Sequence, residues 1–434
     1  MVRSIPVALH FSRYRAFKEE VRLPIAPLTL ILGKNGSGKS VLTRLPVLIA
    51  GGIDTAAISP LSLIAGGVSH ASRYEDLVHQ RSAQPFMLGA EIAVDDTRII
   101  FRTTLRHVVE THSLAYEQFE LFKDDAILLR LSISSPEEIG KDCASFRFHF
   151  DGEDKGLCKV KFSGLFPSKI EEYPDVEGRV MGYRKGFEQA FGGPAYLGPF
   201  RSEASSSGRV PQQGVRALGP RGEGALDILG DDSLRGDGST TRLVEEWFDT
   251  AMQGNRVVLA LASGIPRLLV RDPQRNVEVD LSETGAGFAQ VLPIAVQVLS
   301  AKNEKLFSPI SIVEQPELHL HPGAHGALAD LFVSATADPD VITKFVCETH
   351  SEQFVTRVRR RIAEGAIDHN DVLIISVAHQ SEAGGEIDPV RIIPIDTYGN
   401  TETWPVGVFD EAFDDLIALR EASVVKDEAP LRAD

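Results

Sequence analysis

The sequence predicts an α/β protein: a mixed or parallel sheet core carrying a phosphate-binding loop, with an antiparallel β-rich lobe inserted into it. Three observations carry this reading. An apolar run at 28–32 enters a glycine-rich loop and is followed by a helical pattern. Between 60 and 167, short β-branched or alternating runs are bounded by turn residues, as antiparallel strands are. From 309 to 377, strand and helix patterns alternate, which is the signature of a parallel sheet. The expected organisation is a first part of the core at 1–59, the β-rich lobe with a return helix at 60–190, a second part of the core at 191–400, and a helical, acidic tail at 401–434.

The loop reads Gly33-Lys34-Asn35-Gly36-Ser37-Gly38-Lys39-Ser40 and matches G-x-x-x-x-G-K-[ST] without mismatch. Glycines allow the tight backbone path that points successive N–H groups at phosphate oxygens. The following helix adds partial positive charge at its N-terminus. Lys39 is expected to reach the β- and γ-phosphates, and the Ser40 hydroxyl to sit on Mg²⁺. ATP with Mg²⁺ is therefore the expected ligand. Two strands precede the loop, at 7–17 and 17–23, and are expected to form a hairpin over the nucleotide. Phe11, Tyr14 and Phe17 are candidates either to pack on the base or to fill the core.

In the lobe the expected strands are 87–94, 98–105, 119–122, 126–133, 146–150 and 158–162, with a helix at 171–190 returning to the core. Residues 202–238 are rich in Gly, Ser, Pro and Arg and read as loop with short helical pieces. A helix at 240–252, strands at 267–271 and 277–281, and an apolar helix at 289–299 follow.

Composition narrows the setting. The 434 residues are 43% hydrophobic and 24% charged, as in an ordinary globular protein. No run of about eighteen apolar residues predicts a membrane span, and residues 1–10 lack the apolar core of a secretory signal. Cys143, Cys158 and Cys347 have no metal-ligand spacing and read as core residues, which fits a cytoplasmic protein. The net charge of −16 argues against coating nucleic acid by charge alone. The Arg357-Val358-Arg359-Arg360-Arg361 cluster is either a solvated helix face or a local nucleic-acid contact.

Three further elements extend the nucleotide reading. In Ser311-Ile312-Val313-Glu314-Gln315-Pro316-Glu317 an apolar strand ends in an acid, Glu314, as a Mg²⁺-holding strand does. Ser282-Glu283-Thr284-Gly285-Ala286-Gly287-Phe288-Ala289-Gln290 opens a helix with small residues, the geometry that faces an anion. Phe345-Val346-Cys347-Glu348-Thr349-His350 is a strand ending in a histidine able to contact a γ-phosphate. The His319 and His321 pair has no third ligand nearby in sequence and is not read as a metal site.

The order of these elements resembles ABC-type ATPases of the OLD-like group, related to SMC and RecF ATPases and often labelled AAA. The resemblance is strongest to a subgroup with E-[EQ]-P-E-x-H-L-H-P, here Glu314 to Pro322, and Y-[IL]-G-P-x-R, here Tyr196 to Arg201. That subgroup also carries G-x-x-G-E, here Gly219 to Glu223, and a W-P-x-G-F-F-D-like element, here Trp404 to Asp410 with Val408 departing from it. The resemblance implies that Ser282, Gly285, Ala286 and Gly287 occupy the signature position, facing nucleotide on a second protomer. It implies His321 at a loop crossing the dimer interface, and His350 as the switch histidine. The ATP sites are then completed by a head-to-tail, ATP-sandwiched homo-oligomer. Many such ATPases follow the Mg²⁺ acid with a glutamate. Here that position is Gln315, which orients water but takes no proton. Glu317 substitutes only if the loop turns it inward. Hydrolysis is expected to be slow.

Three outputs fit this architecture. One is a switch or scaffold ATPase of prokaryotic anti-phage defence, as in Septu- or PARIS-like systems, acting on a separate toxin or nuclease. The second is a RecF- or SMC-like repair ATPase that clamps DNA, which the acidic charge and lack of coiled-coil arms disfavour. The third is the ATP-binding subunit of a transporter, disfavoured because the signature is not LSGGQ-like throughout. The segment after His350 is too short for an added nuclease domain of ordinary size, so a nuclease is expected as a partner.

Overall fold

The computed structural model describes residues 3–202, 208, 217–251, 256–262, 265–272, 277–284, 286–302, 308–378, 389–402, 404, 408, 409 and 418–420. Gly285 and nearly all of the acidic C-terminal tail lie outside the described residues.

In chain order, β1 (Ser4–Ser12), β2 (Val21–Pro24) and β3 (Leu28–Gly33) lead into α1 (Lys39–Ile53). Two short strands, β4 (Ile64–Ala65) and β5 (Val68–Ser69), precede a meander of β6 (Phe86–Val94), β7 (Thr97–Val108), β8 (Ser113–Lys123), β9 (Ala126–Ile133), β10 (Cys143–Phe150), β11 (Glu153–Ser163) and β12 (Phe166–Ile170). Then come α2 (Pro174–Phe191), β13 (Ala195–Leu197), α3 (Ala225–Arg235), α4 (Ser239–Ala251), and the small sheet of β14 (Arg256–Ala262), β15 (Ile265–Asp272) and β16 (Val277–Asp280). The chain continues with α5 (Ala286–Leu299), β17 (Ile310–Glu314), α6 (Pro322–Thr336), β18 (Lys344–Glu348), α7 (Glu352–Ala363), β19 (Val372–Val377) and β20 (Val390–Ile393).

Two large sheets organise these elements. One has six strands in the order β13-β17-β18-β3-β19-β20, parallel except for β20 at its edge. Its β3 is buried at every position, as a central strand covered on both faces must be. Side chains alternate across it. Leu28, Leu30 and Leu32 join a core with α3 to α7, while Ile31 joins the core on the opposite face.

The second sheet is antiparallel, with nine strands in the order β12-β11-β10-β9-β8-β7-β6-β1-β2. The N-terminal hairpin forms the edge of this sheet, since β1 pairs with β6, and its turn residues Arg15 and Ala16 lie beside Gly36 and Gly38 of the loop after β3. Helix α1 lies between the two sheets, packing on β3, β17 and β18 and on β6 and α2. Aromatic residues fill the space beneath the antiparallel sheet. Phe101 lies 4.5 Å from Phe166 and 4.8 Å from Phe187, ring centre to ring centre. Arg184 of α2, also buried here, donates from Nε to Ile53 O (2.7 Å) and from Nη2 to Asp54 O (2.6 Å). It thereby satisfies carbonyls at the C-terminal end of α1 that have no partner within the helix.

Several expectations are corrected. Within the stretch read as loop with short helical pieces, residues 225–235 form a regular helix of 11 residues, because Ala225, Leu226, Ile228 and Leu229 bury one face in the core. The return helix starts at Pro174, whose fixed φ suits a first turn. Strands β4, β5, β12, β13, β14 and β20 carry no local pattern that predicts them. Phe11, Tyr14 and Phe17 are buried against one another, with Phe11 and Phe17 centroids 5.3 Å apart, so they are core rather than base-stacking residues.

The seam between β1, β2 and β6 holds a buried charge. Glu91 of β6 accepts from Arg22 Nε (2.8 Å) and Nη2 (3.0 Å), and lies 3.2 Å from His10 Nε2. Burial pushes this carboxylate up, but the hydrogen bonds from His10 and Arg22 outweigh it and hold it at about 2. Its folded pKa is below the unfolded carboxylate value of about 4.3, so its stabilisation is complete above that pH and is lost as pH falls toward 2. Glu91→Gln is expected to cost about 3 kcal/mol at pH 7 by leaving Arg22 without its carboxylate, and to flatten the acid limb of the stability curve below pH ~4.3. Urea titrations at pH 7 and pH 3 check both.

Candidate functional site

The loop of 33–40 joins β3 to α1 at the C-terminal edge of the parallel sheet, where ligands of open α/β sheets bind. Gly33, Gly36 and Gly38 take φ values of +144°, +79° and +106°, which side chains on L-residues rarely allow. A Cβ on Gly33 would lie 2.3 Å from Val377 O of β19, and one on Gly38 3.1 Å from Phe17 Cζ. Helix α1 has no side-chain cap and no acid in its first turn. By contrast His321 Nδ1 caps α6, accepting from Gly323 N at 3.1 Å, and Ser351 Oγ caps α7, accepting from Phe354 N at 3.1 Å. The uncapped amides of α1 suit an anion. Ser37 Oγ is buried without a hydrogen-bond partner among the described residues. Lys34, Asn35 and Gly36 are exposed.

Lys39 is buried, and its Nζ donates to Gly33 O (2.7 Å) and Lys34 O (2.6 Å). Burial lowers its pKa, opposed by the charge of Glu348. Glu348 ends β18 in register with Glu314, which ends β17. Glu348 Oε1 accepts from Ser40 Oγ (3.1 Å) and Oε2 from Thr43 Oγ1 (3.1 Å). Burial raises its pKa, with the charge of Glu314 adding. Glu314 is bound by a guanidinium fork: Arg44 Nε donates to Oε1 (2.7 Å) and Nη2 to Oε2 (2.8 Å).

The loop after β17 is shaped by this corner. Gln315 adopts φ +45° and donates its N–H to Glu348 O (2.7 Å). Glu317 does turn inward, but its oxygens are committed to Thr349 Oγ1 (2.9 Å) and His350 N (2.6 Å). Gln315, His350 and Asn35 line one open cleft of about 630 Å³ beside the loop. Gly36 and Gly38 line another of about 570 Å³, with Arg15, His70 and Arg81. Both volumes are in the range of small-molecule sites. His70 is buried, and burial with the charges of Arg44 and Arg15 pushes it down to about 4. Sequence reasoning missed Arg44 and His70, which lie in no motif, and assigned no role to Glu348, which lies two residues before His350 in the third element.

Arg201, last residue of the Tyr196 to Arg201 segment, is buried and donates from Nη2 to Glu314 O (2.7 Å) and Gln315 O (3.3 Å). Burial pushes its guanidinium down to about 10. The segment that opens α5 meets Arg201 through Gln290, whose Nε2 donates to Arg201 O (3.4 Å). Asp280 accepts from Ser282 N (3.0 Å) and Oγ (2.8 Å), and Ala286 opens α5. A Cβ on Gly287 would meet Leu320 Cδ2 at 3.4 Å, so this glycine packs on the loop between β17 and α6. Neither Ser282 nor Gly287 lines the two clefts at the phosphate loop.

Among the described residues no cluster of three or more His, Cys, Asp or Glu is placed to hold a metal. The basic cluster is partly ion-paired: Arg357 and Arg361 share Asp330 at 3.0 and 2.7 Å, Arg360 pairs with Glu364 at 2.6 Å, and Arg359 donates to the neutral Gly399 O. Among the described residues no helix is long and apolar enough to cross a membrane.

Solved structures share this fold. An SMC head bound to the C-terminal winged-helix domain of ScpA superposes with a TM-score of 0.51 at 12% identity, covering 90% of this chain and 98% of that one. The Pyrococcus furiosus Smc head with an extended coiled coil, bound to the C-terminal domain of ScpA, gives 0.50 at 12% identity, covering 96% and 100%. The fold is that of SMC head domains. At this identity the likeness concerns the fold alone. Residues 367–419 match DUF3696, a family described as a protein of unknown function. No curated protein matches the chain. Within that family segment, the Trp404 ring stacks near Phe409 at 5.9 Å and donates Nε1–H to Val408 O (2.6 Å), and Phe409 reaches the cleft of Gln315 and His350.

The glycines separate by space. Gly33→Ala is expected to destabilise the fold by about 2 kcal/mol or more, since both φ and the Val377 carbonyl oppose it. Gly36→Ala meets only the backbone term, about 1 kcal/mol. Thermal unfolding of the two variants checks the order.

Proposed function

We propose that this protein is an ATPase that binds ATP with Mg²⁺ at the loop from Gly33 to Ser40, hydrolyses it slowly to ADP and phosphate, and uses the nucleotide as a switch for assembly. The observation that carries the reading is convergence. The ends of β3, β17 and β18 bring Lys39, Ser40, Glu314, Gln315, Glu348 and His350 to one edge of the sheet, beside an uncapped helix N-terminus. The donor set fits the ligand: amides and Lys39 for phosphates, Ser40 and strand-end carboxylates for a hard cation.

Lys39 exchanges two neutral carbonyls for phosphate oxygens, a stronger charge-assisted contact. Ser40 and a strand-end carboxylate would hold Mg²⁺, which would supply neutralisation of the charge that develops on the transferred phosphoryl group. Gln315 holds water without taking its proton. Glu317 positions Thr349 and His350 and is not free to act as base. The separation of Ser282 and Gly287 from the two clefts supports a site completed by a second copy, with Gly285 and His321 at that interface, and ATP binding then favours the oligomer by mass action.

The defence setting, with a separate toxin or nuclease as effector, rests on the resemblance of the Glu314 to Pro322 and Trp404 to Asp410 elements. The SMC heads bound to ScpA domains support a partner protein more generally. A DNA clamp is the second reading, and the ion-paired state of Arg357 and Arg361 weighs against it.

Size-exclusion chromatography with ATP and Mg²⁺ is expected to show a dimer or larger species, and Lys39→Ala to abolish it; assembly unchanged in that variant refutes the switch. Turnover is expected below about 1 s⁻¹, against a usual enzyme median of about 10 s⁻¹. Gln315→Glu is expected to raise it by about tenfold or more by supplying a base. Co-purification with the products of neighbouring genes separates the effector reading from ATP-dependent retention on DNA.

A further inference from the structure

We propose that Glu348, rather than Glu314, is the carboxylate that faces the divalent cation beside Ser40. This deepens the ATP and Mg²⁺ reading above and rests on it. The two acids end adjacent parallel strands in register and are both buried, so position alone does not choose between them. Their partners do.

Both oxygens of Glu314 are taken by the Arg44 fork at 2.7 and 2.8 Å. A carboxylate in a bidentate guanidinium pair is neutralised, and its strongest acceptor directions are filled. The Arg44 charge at the same spot opposes a second cation. The corner is braced from two sides. The Arg44 guanidinium lies 5.9 Å from the Tyr196 ring centre, and Arg201 grips the Glu314 and Gln315 carbonyls. The Tyr196 to Arg201 segment thus holds the Glu314 corner in place, which makes Glu314 a positioning residue for the Gln315 loop.

Glu348 is different. Its side-chain partners among the described residues are two neutral hydroxyls, Ser40 Oγ and Thr43 Oγ1, each at 3.1 Å. Ser40 is the residue whose hydroxyl a phosphate loop places on the cation. A buried carboxylate with no guanidinium or ammonium bound to it therefore touches the one side chain of the loop that ligates metal. Burying a carboxylate is costly unless opposite charge compensates it, and a divalent cation beside Ser40 supplies that charge. Magnesium sites built from one or two carboxylates plus substrate phosphates need no larger protein cage.

The test uses the full chain, AMP-PNP as nucleotide and Mn²⁺ as metal probe, with bound Mn²⁺ read by electron paramagnetic resonance. Glu348→Gln is expected to weaken Mn²⁺ binding to the protein–AMP-PNP complex by about tenfold or more, while AMP-PNP affinity in EDTA stays at the wild-type value. Glu348→Asp is expected to recover part of the loss. Glu314→Gln is expected to keep Mn²⁺ affinity within about threefold and to lower the melting temperature, because Arg44 loses its partner. The reverse pattern, metal binding lost with Glu314→Gln and kept with Glu348→Gln, overturns the assignment. Should Glu348→Gln not fold, the Asp pair decides: Glu348→Asp must shift Mn²⁺ affinity and Glu314→Asp must not. AMP-PNP binding that is absent in the wild-type protein, or unchanged by Lys39→Ala, overturns the triphosphate reading itself, an outcome distinct from a misassigned carboxylate.

Discussion

Everything at the candidate site depends on β3 lying between β18 and β19 in a parallel sheet. Parallel strands deliver their C-terminal ends to the same edge, so the phosphate loop after β3 meets the ends of β17 and β18 without any long excursion of chain. The close approach is set at Gly33, where only hydrogen leaves room for the Val377 carbonyl. From that contact the loop turns, α1 begins, and Lys39, Ser40, Thr43 and Arg44 fall on the side facing the two acids.

The electrostatics of that edge are a division of labour between two buried carboxylates. One is closed by Arg44 and organises the chain around it through Arg201 and Gln315. The other rests on hydroxyls at the loop. Around them, carboxylate and guanidinium groups are largely spent on one another, as with Asp330 between Arg357 and Arg361. The chain is acidic overall, and two arginines of its most basic helix share one carboxylate, Asp330.

The second sheet matters to the first through α1. That helix carries the loop at its N-terminus and is clamped at its C-terminus by Arg184 from α2. The antiparallel sheet, with the N-terminal hairpin at its edge, lies on the opposite side of α1 from the parallel sheet. A shift of the loop is therefore mechanically joined to the aromatic core around Phe101, Phe166 and Phe187, where close packing resists continuous deformation.

The sequence by itself determined the glycine-rich turn from β3 into α1, the strand–helix alternation that makes a parallel sheet, and most strands of the meander, because each is a local pattern of period, glycine placement or turn residues within a short window. It also marked Glu314, Gln315 and His350 by their order along the chain. Tertiary structure decided the rest. The joining of β1 to β6 and the helix at Ala225–Arg235 depend on what each segment packs against. Arg44 meets Glu314 across 270 positions, and Ser40 meets Glu348 across 308. No local window contains both partners of either pair. Which carboxylate is neutralised and which is left beside the phosphate loop is settled only when the parallel strands bring those distant residues to one edge.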